Sequence, residues 1–290
     1  MIMNGRVIKF YNSFFFVQTD ESLIPCKLRG IIKRDKKVGS SVYPNDFVEF
    51  SRLADGTGVI EKILPRKNLL NRPAVANVDR VILTFAAAEP NLHPLLLNRF
   101  ITLAEWSHLD EIIICVNKID LADKNFLSDY ESLYKVIRTS TLTGEGIDEL
   151  KKILSNGVTV FAGPSGVGKS SLMNTVDANL NLKVGKVSEK ILRGKHTTRI
   201  CELIQFCNGY VVDTPGFSAV DLKEAGIDKK NLRQCFKEFT EFSTACKFRN
   251  DCSHDHEPNC AVRKAVDEGK ILRERYENYL SVLNELKNML

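Results

Sequence analysis

The chain has 290 residues, enough for two or three domains that each bury a core, and its composition of 43% hydrophobic and 27% charged residues is that of a globular protein. No apolar run approaches the roughly 18 residues of a membrane span, and Met1-Ile2-Met3-Asn4-Gly5-Arg6-Val7 has no secretory leader, so membrane and exported classes are excluded and a cytoplasmic location is expected. The net charge of +5 is concentrated in residues 1–72, where 13 Lys and Arg face 7 Asp and Glu, a balance that suits an anionic partner and equally a solvated surface.

Five short strand-like runs are predicted at 6–11, 14–19, 25–29, 46–50 and 59–64, punctuated by Asn12-Ser13, Asp20-Glu21, Pro44-Asn45 and Asp55-Gly56. Five strands in that length suit a small closed barrel of the OB type, a fold whose strand face and loops commonly bind oligonucleotides. Lys27, Arg29, Lys33, Arg34, Lys36 and Lys37 give such a barrel a basic edge. In the run Phe14-Phe15-Phe16 the alternation of a strand buries either the outer pair or the central ring.

Pro65 and then Arg72-Pro73 interrupt the strand pattern, which places a domain boundary near 65. From there to about 221, apolar strands at 80–85, 111–116, 135–139 and 157–162 alternate with helical stretches near 94–106, 124–132, 146–154 and 169–176. Alternation of this kind predicts an α/β domain with a mostly parallel sheet. The runs 202–206 and 210–213 read as a hairpin turning on Asn208-Gly209.

Asn117-Lys118-Ile119-Asp120 follows one of those buried strands, at the carboxyl end where open α/β sheets bind ligands. A carboxylate at Asp120 accepts from guanine N1–H and the exocyclic amine, whereas adenine presents an acceptor at N1. Ser140 ends the next strand, and its backbone N–H is placed to meet guanine O6. The third and strongest motif is Gly163-Pro164-Ser165-Gly166-Val167-Gly168-Lys169-Ser170, with Ser171 after it. It satisfies the phosphate-loop pattern between a strand and a helix: backbone N–H groups surround the phosphates, Lys169 supplies positive charge, and the Ser170 hydroxyl suits Mg²⁺.

Farther on, Arg193-Gly194-Lys195-His196-Thr197-Thr198-Arg199 is polar and placed as a first switch, in which one of Thr197 and Thr198 completes the Mg²⁺ shell; Thr198 is the assigned ligand. Asp213-Thr214-Pro215-Gly216 ends an apolar strand as a D-x-x-G element, Asp213 facing Mg²⁺ through water and the Gly216 N–H facing the γ-phosphate. The next residue, Phe217, cannot hydrogen-bond water, so His196 is the candidate for orienting the attacking water, the alternative being a surface role. The order is permuted, since N-K-x-D and the Ser140 loop precede the phosphate loop and D-x-x-G comes last. Loops at one sheet edge still converge wherever the chain is cut. The second switch then leads straight into residues 222–290, a direct route for the loss of the γ-phosphate to reach them.

Eight cysteines in a reducing compartment call for a metal or catalytic reading before a disulfide. Cys26, Cys115, Cys201, Cys207 and Cys235 are scattered among apolar neighbours and read as buried free thiols. Cys246, Cys252, His254 and Cys260 fall within 15 residues as one tetrahedral Cys₃His zinc site of a structural kind, with His256 the alternative to His254. Leu272, Tyr276, Tyr279, Leu283, Leu286 and Leu290 give a terminal helix an apolar face. The expected organisation is therefore multidomain: an OB-type β-barrel at 1–65, a circularly permuted α/β P-loop GTPase domain at 66–221 and a helical zinc-binding domain at 222–290.

With these parts in this order, the sequence resembles the ribosome small-subunit-dependent GTPase A family, bacterial factors acting in late maturation of the small ribosomal subunit. The likeness covers essentially the whole chain and is carried by residues 117–120, 163–171, 194–198, 213–216 and 246–260. It implies binding of GTP and GDP with Mg²⁺, ribosome-stimulated hydrolysis of GTP to GDP and phosphate, contact with rRNA, a catalytic role for His196, and a monomer without a membrane partner. One departure is visible: five residues separate Cys246 from Cys252 where four are expected, so Cys246 is the ligand that the resemblance supports least. The competing class is a binding module, in which GTP occupancy positions an RNA-binding barrel and hydrolysis is incidental.

Overall fold

The computed structural model describes residues 2–30, 41–71, 74–122, 127–177, 202–213 and 221–288. The chain divides into two compact units, one of Met1–Val81, Asp148–Phe161 and Ser170–Phe217, the other of Ile82–Ile147, Ala162–Lys169 and Ser218–Leu290.

In the first unit, β1 (Ile2–Tyr11), β2 (Phe14–Gln18), β3 (Leu23–Leu28), β4 (Phe47–Arg52) and β5 (Gly58–Ile63) form the expected barrel. The ladder runs β1-β2-β3-β5-β4 and closes because β1 also pairs with β4, from Ile2↔Ser51 to Arg6↔Phe47. A register shift between Val7 and Lys9 lets the long β1 bend and serve both neighbours. Val7, Val17, Ile24, Cys26, Val48, Phe50 and Ile60 fill the interior, and half-buried Phe15 packs on them. Phe15 is thus the inward ring of its triplet. The outward rings carry cations: Lys27 Nζ lies 5.0 Å from the Phe14 centroid and Lys9 Nζ 5.8 Å from that of Phe16. Of the expected basic edge, Lys27 and Arg29 are described, Arg29 paired with Glu61 at 2.5 Å, while Lys33, Arg34, Lys36 and Lys37 lie outside the described residues.

A short hairpin, β6 (Leu69–Asn71) with β7 (Ala74–Ala76), follows the barrel. The same unit holds β11 (Asn156–Ala162) pairing in parallel with β13 (Asn208–Asp213), and β13 pairing antiparallel with β12 (Glu202–Phe206). Phe206 opposes Gly209, so the hairpin turns on Cys207-Asn208, one residue earlier than expected. Cys207 stands in the left-handed region at the tip (φ 51°) and is exposed, which corrects its reading as a buried thiol. Cys26, Cys115 and Cys235 are buried as expected, and Cys201 lies outside the described residues.

The second unit contains β8 (Arg80–Ala86), β9 (Glu111–Asn117) and β10 (Lys135–Arg138), ordered β10-β9-β8, with β9 and β10 parallel. Helix α1 (Pro94–Trp106) starts on a proline, whose fixed φ and missing donor suit a first turn, and buries Leu97, Phe100, Ile101 and Ala104 at helical spacing. Helices α2 (Ile147–Leu154) and α3 (Lys169–Val176), which apart from their opening residues belong to the first unit, agree with expectation. The stretch near 124–132 does not: its described part is a 3₁₀ turn, Ser128–Ser132, entered through Leu127 at φ 63°, a left-handed residue that no α-helix can incorporate. The C-terminal segment of this unit strings 3₁₀ turns and α4 (Thr240–Ser243) ahead of α5 (Ala261–Asp267) and α6 (Arg273–Asn288). On α6, Tyr276, Tyr279, Leu283 and Leu286 are buried as expected; Leu272 precedes the helix, Leu290 lies outside the described residues, and Arg275 is buried among the apolar side chains, which the stripe did not anticipate.

Candidate functional site

Two clusters gather predicted site residues within the second unit, while Ser170, Ser171 and Asp213 belong to the first. The first is built from strand ends. Asn117 closes β9 and is almost fully buried; its Nδ2 donates to Val167 O at 2.9 Å, and its Oδ1 accepts from Thr139 Oγ1 at 3.2 Å. One amide thereby joins the N-K-x-D loop to the phosphate loop, 50 residues downstream. Two glycines make that approach possible. A Cβ at Gly168 would stand 2.4 Å from Asn117 Nδ2, and one at Gly163 would stand 2.0 Å from Thr84 O.

Lys118 adopts φ 59°, which throws its side chain off the strand direction, and its ammonium donates to Glu89 O. Asp120 is exposed, with Ser140 Oγ donating to its Oδ1 at 2.5 Å; Ser140 Oγ in turn accepts from the N–H groups of Leu142 and Thr143 at 3.2 and 3.1 Å. Ser140 itself is buried, and its N–H donates to Glu145 O at 3.0 Å. The N–H expected to meet guanine O6 thus donates within its own loop here, while the Ser140 hydroxyl is the group that holds Asp120.

Gly163 to Gly168 turn between β11 and α3, with Ser165 and Gly166 exposed, Pro164 half-buried and Val167 buried. Lys169 opens α3, and its Nζ donates to the carbonyls of Gly163 and Pro164 at 2.8 and 2.7 Å. Burial of the ammonium lowers its pKa to about 8. Ser170 and Ser171 are half-buried in the first turn of that helix, and Asp213 is the last residue of β13. His196, Thr197, Thr198 and Gly216 lie outside the described residues, as do Phe217 and the rest of both switches beyond Asp213.

The second cluster comprises Cys246, Cys252, His254 and Cys260, all buried, with their ligand atoms within 4.8 Å of one another. His254 Nδ1 lies 3.6 Å from Cys246 Sγ and 3.4 Å from Cys260 Sγ, and those two sulfurs are 3.9 Å apart. A tetrahedral zinc with ordinary Zn–S and Zn–N lengths has edges of about 3.5 Å between N and S and about 3.8 Å between sulfurs, so the donor set fits a metal of that size. Cys246, the least secure ligand by spacing, belongs to the cluster; the longer interval is taken up by a 3₁₀ turn, Arg249–Asp251. His256 is exposed and turned to Asp255, which leaves His254 as the histidine of the set. Burial first, and the positive charge of Arg233 second, lower the His254 pKa to about 4, keeping the imidazole in its neutral, ligating form. Burial pushes the Cys252 thiol up to about 12, a cost that a divalent cation reverses.

Several supporting residues escaped the sequence reading. Tyr276 and Tyr279 donate to the carbonyls of His254 and Ser253 at 2.7 and 2.6 Å. Glu257 accepts from the Ser253 N–H and hydroxyl and from the Asp255 N–H; burial opposes its ionisation, but these bonds prevail and lower its pKa to about 2. Glu257 was legible only as a charged residue near the cluster, because its partners are backbone groups of a loop whose path no local pattern specifies.

Family models match the chain in two blocks: the RsgA N-terminal domain over residues 4–60 and the RsgA GTPase over residues 63–223. A curated relative from Caldanaerobacter subterraneus subsp. tengcongensis, "Small ribosomal subunit biogenesis GTPase RsgA", is 43% identical over 98% of this chain and 96% of its own length, and one of the same description from Clostridium beijerinckii is 42% identical over 98% and 97%. Among solved structures, YjeQ from Thermotoga maritima superposes with a TM-score of 0.84 at 38% identity, covering 99% of both chains. YloQ, described as a circularly permuted GTPase, does so with a TM-score of 0.80 at 32% identity, covering all of this chain and 96% of its own. Likeness over nearly full length, in sequence and in fold, joins the permuted motif order and the Cys/His cluster in one conclusion: this chain belongs to the RsgA GTPase family.

Proposed function

We propose that this protein hydrolyses GTP to GDP and phosphate while bound to the small ribosomal subunit, acting late in the maturation of that subunit with turnover stimulated by it. The observation that carries the reading is the 2.9 Å bond from Asn117 Nδ2 to Val167 O, which sets the base-reading and phosphate-binding loops side by side despite their reversed order in the chain. Asp120, oriented by Ser140 Oγ, accepts from guanine N1–H and the exocyclic amine. The loop donor left for guanine O6 is the Thr141 N–H, which has no protein acceptor among the described residues. Lys118 lies beside the base. Residues 163–171 hold the phosphates, with Lys169 exchanging its two carbonyl partners for phosphate oxygens.

Ser170 and Thr198 are the proposed Mg²⁺ ligands, Thr197 being the alternative, with Asp213 reaching the ion through water and the Gly216 N–H meeting the γ-phosphate. Held there, Mg²⁺ would supply charge neutralisation to the bound phosphates. His196 orients the attacking water, since Phe217 cannot. The Cys246, Cys252, His254, Cys260 site holds one structural zinc ion, all four positions being protein ligands. We assign residues 1–65, 66–221 and 222–290 as the barrel, GTPase and zinc-binding domains, the barrel contacting rRNA through the cations over the half-buried Phe14 and Phe16 rings, and the protein acting as a cytoplasmic monomer.

Measured GTP turnover, with and without purified small subunits, tests the proposal in the wild type and in His196→Ala. The expected result is strong stimulation of the wild type and its loss in the variant. Absence of stimulation in the wild type favours the binding-module reading, and equal competition by ATP overturns the assignment of Asp120.

A further inference from the structure

Arg275 is fully buried on α6, yet every partner it has is polar or aromatic. Its Nε and NH2 donate to the two carboxylate oxygens of Glu238 at 2.7 and 3.2 Å, NH1 donates to Asn98 Oδ1 at 2.5 Å, and the guanidinium lies 4.5 Å from the centroid of Phe236. Replacing such a pair by apolar residues is often neutral or stabilising, so stability alone does not account for an ion pair here. Direction does: a planar fork holds its partners at fixed angles, which a packed leucine cannot.

The partners lead two ways. On one side, Asn98 Nδ2 donates to Pro94 O at 2.9 Å, in the first turn of α1. The turn just before that helix contains Glu89, whose carbonyl holds the Lys118 ammonium, and Pro90, whose Cδ lies 3.8 Å from where a Cβ on Gly166 would stand. On the other side, the next residues of α6 are Tyr276 and, one turn on, Tyr279, which hold the His254 and Ser253 carbonyls.

We propose that Arg275 is a positioning residue that locks α1 to α6, so that the placement of Lys118 and of the phosphate-loop tip depends on the Cys/His cluster, and the cluster on the nucleotide. The inference rests on the nucleotide and zinc assignments above. Coupling of this kind is reciprocal: whatever factor GDP imposes on zinc affinity, zinc imposes on GDP affinity.

The test uses the full-length, zinc-loaded protein. Transfer of zinc to a chromogenic chelator and hydrogen exchange over residues 246–260 are followed with and without saturating GDP, and GDP affinity is titrated before and after metal removal. In the wild type GDP shifts the equilibrium transfer of zinc to the chelator by about five-fold or more, and metal removal weakens GDP binding by the same factor. The double variant Arg275→Met/Glu238→Leu, which leaves no unpaired charge, retains zinc and GDP binding while both responses vanish. Arg275→Lys, which keeps the charge and loses the fork, is the second variant and loses the responses as well. A wild type whose zinc transfer ignores GDP, or variants that respond like the wild type, overturn the proposal. GDP that does not bind the wild type, or a chain purified without zinc, instead defeats the underlying assignments.

Discussion

At the scale of single residues, the nucleotide site depends on groups whose chemistry is set by their immediate partners. Asp120 is fixed by the Ser140 hydroxyl, so its two oxygens present a defined acceptor pair. Asp120→Asn replaces one acceptor with a donor; GDP affinity should fall by roughly two orders of magnitude, while xanthosine diphosphate, whose 2-oxo group accepts, gains. Titration with both nucleotides checks this, and unchanged GDP binding would remove Asp120 from the site. Lys169 carries a second prediction. Burial lowers its pKa to about 8, and a bound phosphate raises it, so the nucleotide selects the protonated form. Affinity for GDP is therefore insensitive to this group well below pH 8 and declines as the pH rises past it, with uptake of a proton on binding. Calorimetry at pH 8 in two buffers of different ionisation enthalpy measures that uptake; heats independent of the buffer would contradict it.

The elements work as frames for loop ends. β9 and β11 deliver Asn117 and Gly163 from their carboxyl termini, and the loops interlock because glycines give the backbone room. At Gly163 the requirement is doubled: φ is 140°, and a Cβ there would stand 2.0 Å from Thr84 O. Gly163→Ala is expected to push the phosphate loop off β8 and abolish nucleotide binding, as read by fluorescence of a labelled GDP, while the barrel, with its separate core, keeps its hydrogen-exchange protection. Element boundaries also show which local signals decide. Pro94 and the apolar spacing of α1 specify that helix fully, whereas the stretch ending at Ser132 becomes a 3₁₀ turn because Leu127 takes a left-handed conformation that only its surroundings impose.

At the scale of the whole molecule, the Cys/His cluster closes a segment of short turns beside the buried rings of Phe236, Phe239 and Tyr279. Its four side chains, the Glu257 carboxylate and the tyrosines of α6 form one shell. Removing the metal with a chelator should lower the melting temperature by about 5 °C or more and expose residues 246–260 to hydrogen exchange, leaving β1 to β5 unaffected. Equal loss in the barrel would mean that the cluster supports the entire chain. The sequence by itself determined the five barrel strands, the permuted series of motifs and the four members of the Cys/His cluster, because each is a local pattern of residue type and spacing that backbone geometry or coordination chemistry demands. Only the tertiary structure decided that the Ser140 N–H donates to Glu145 O while its hydroxyl holds Asp120, that Cys207 is exposed at a turn, and that Arg275 is buried against Glu238 and Asn98. Those outcomes depend on partners 5 to 177 positions away, and no spacing rule records which distant groups a folded chain brings within hydrogen-bonding distance.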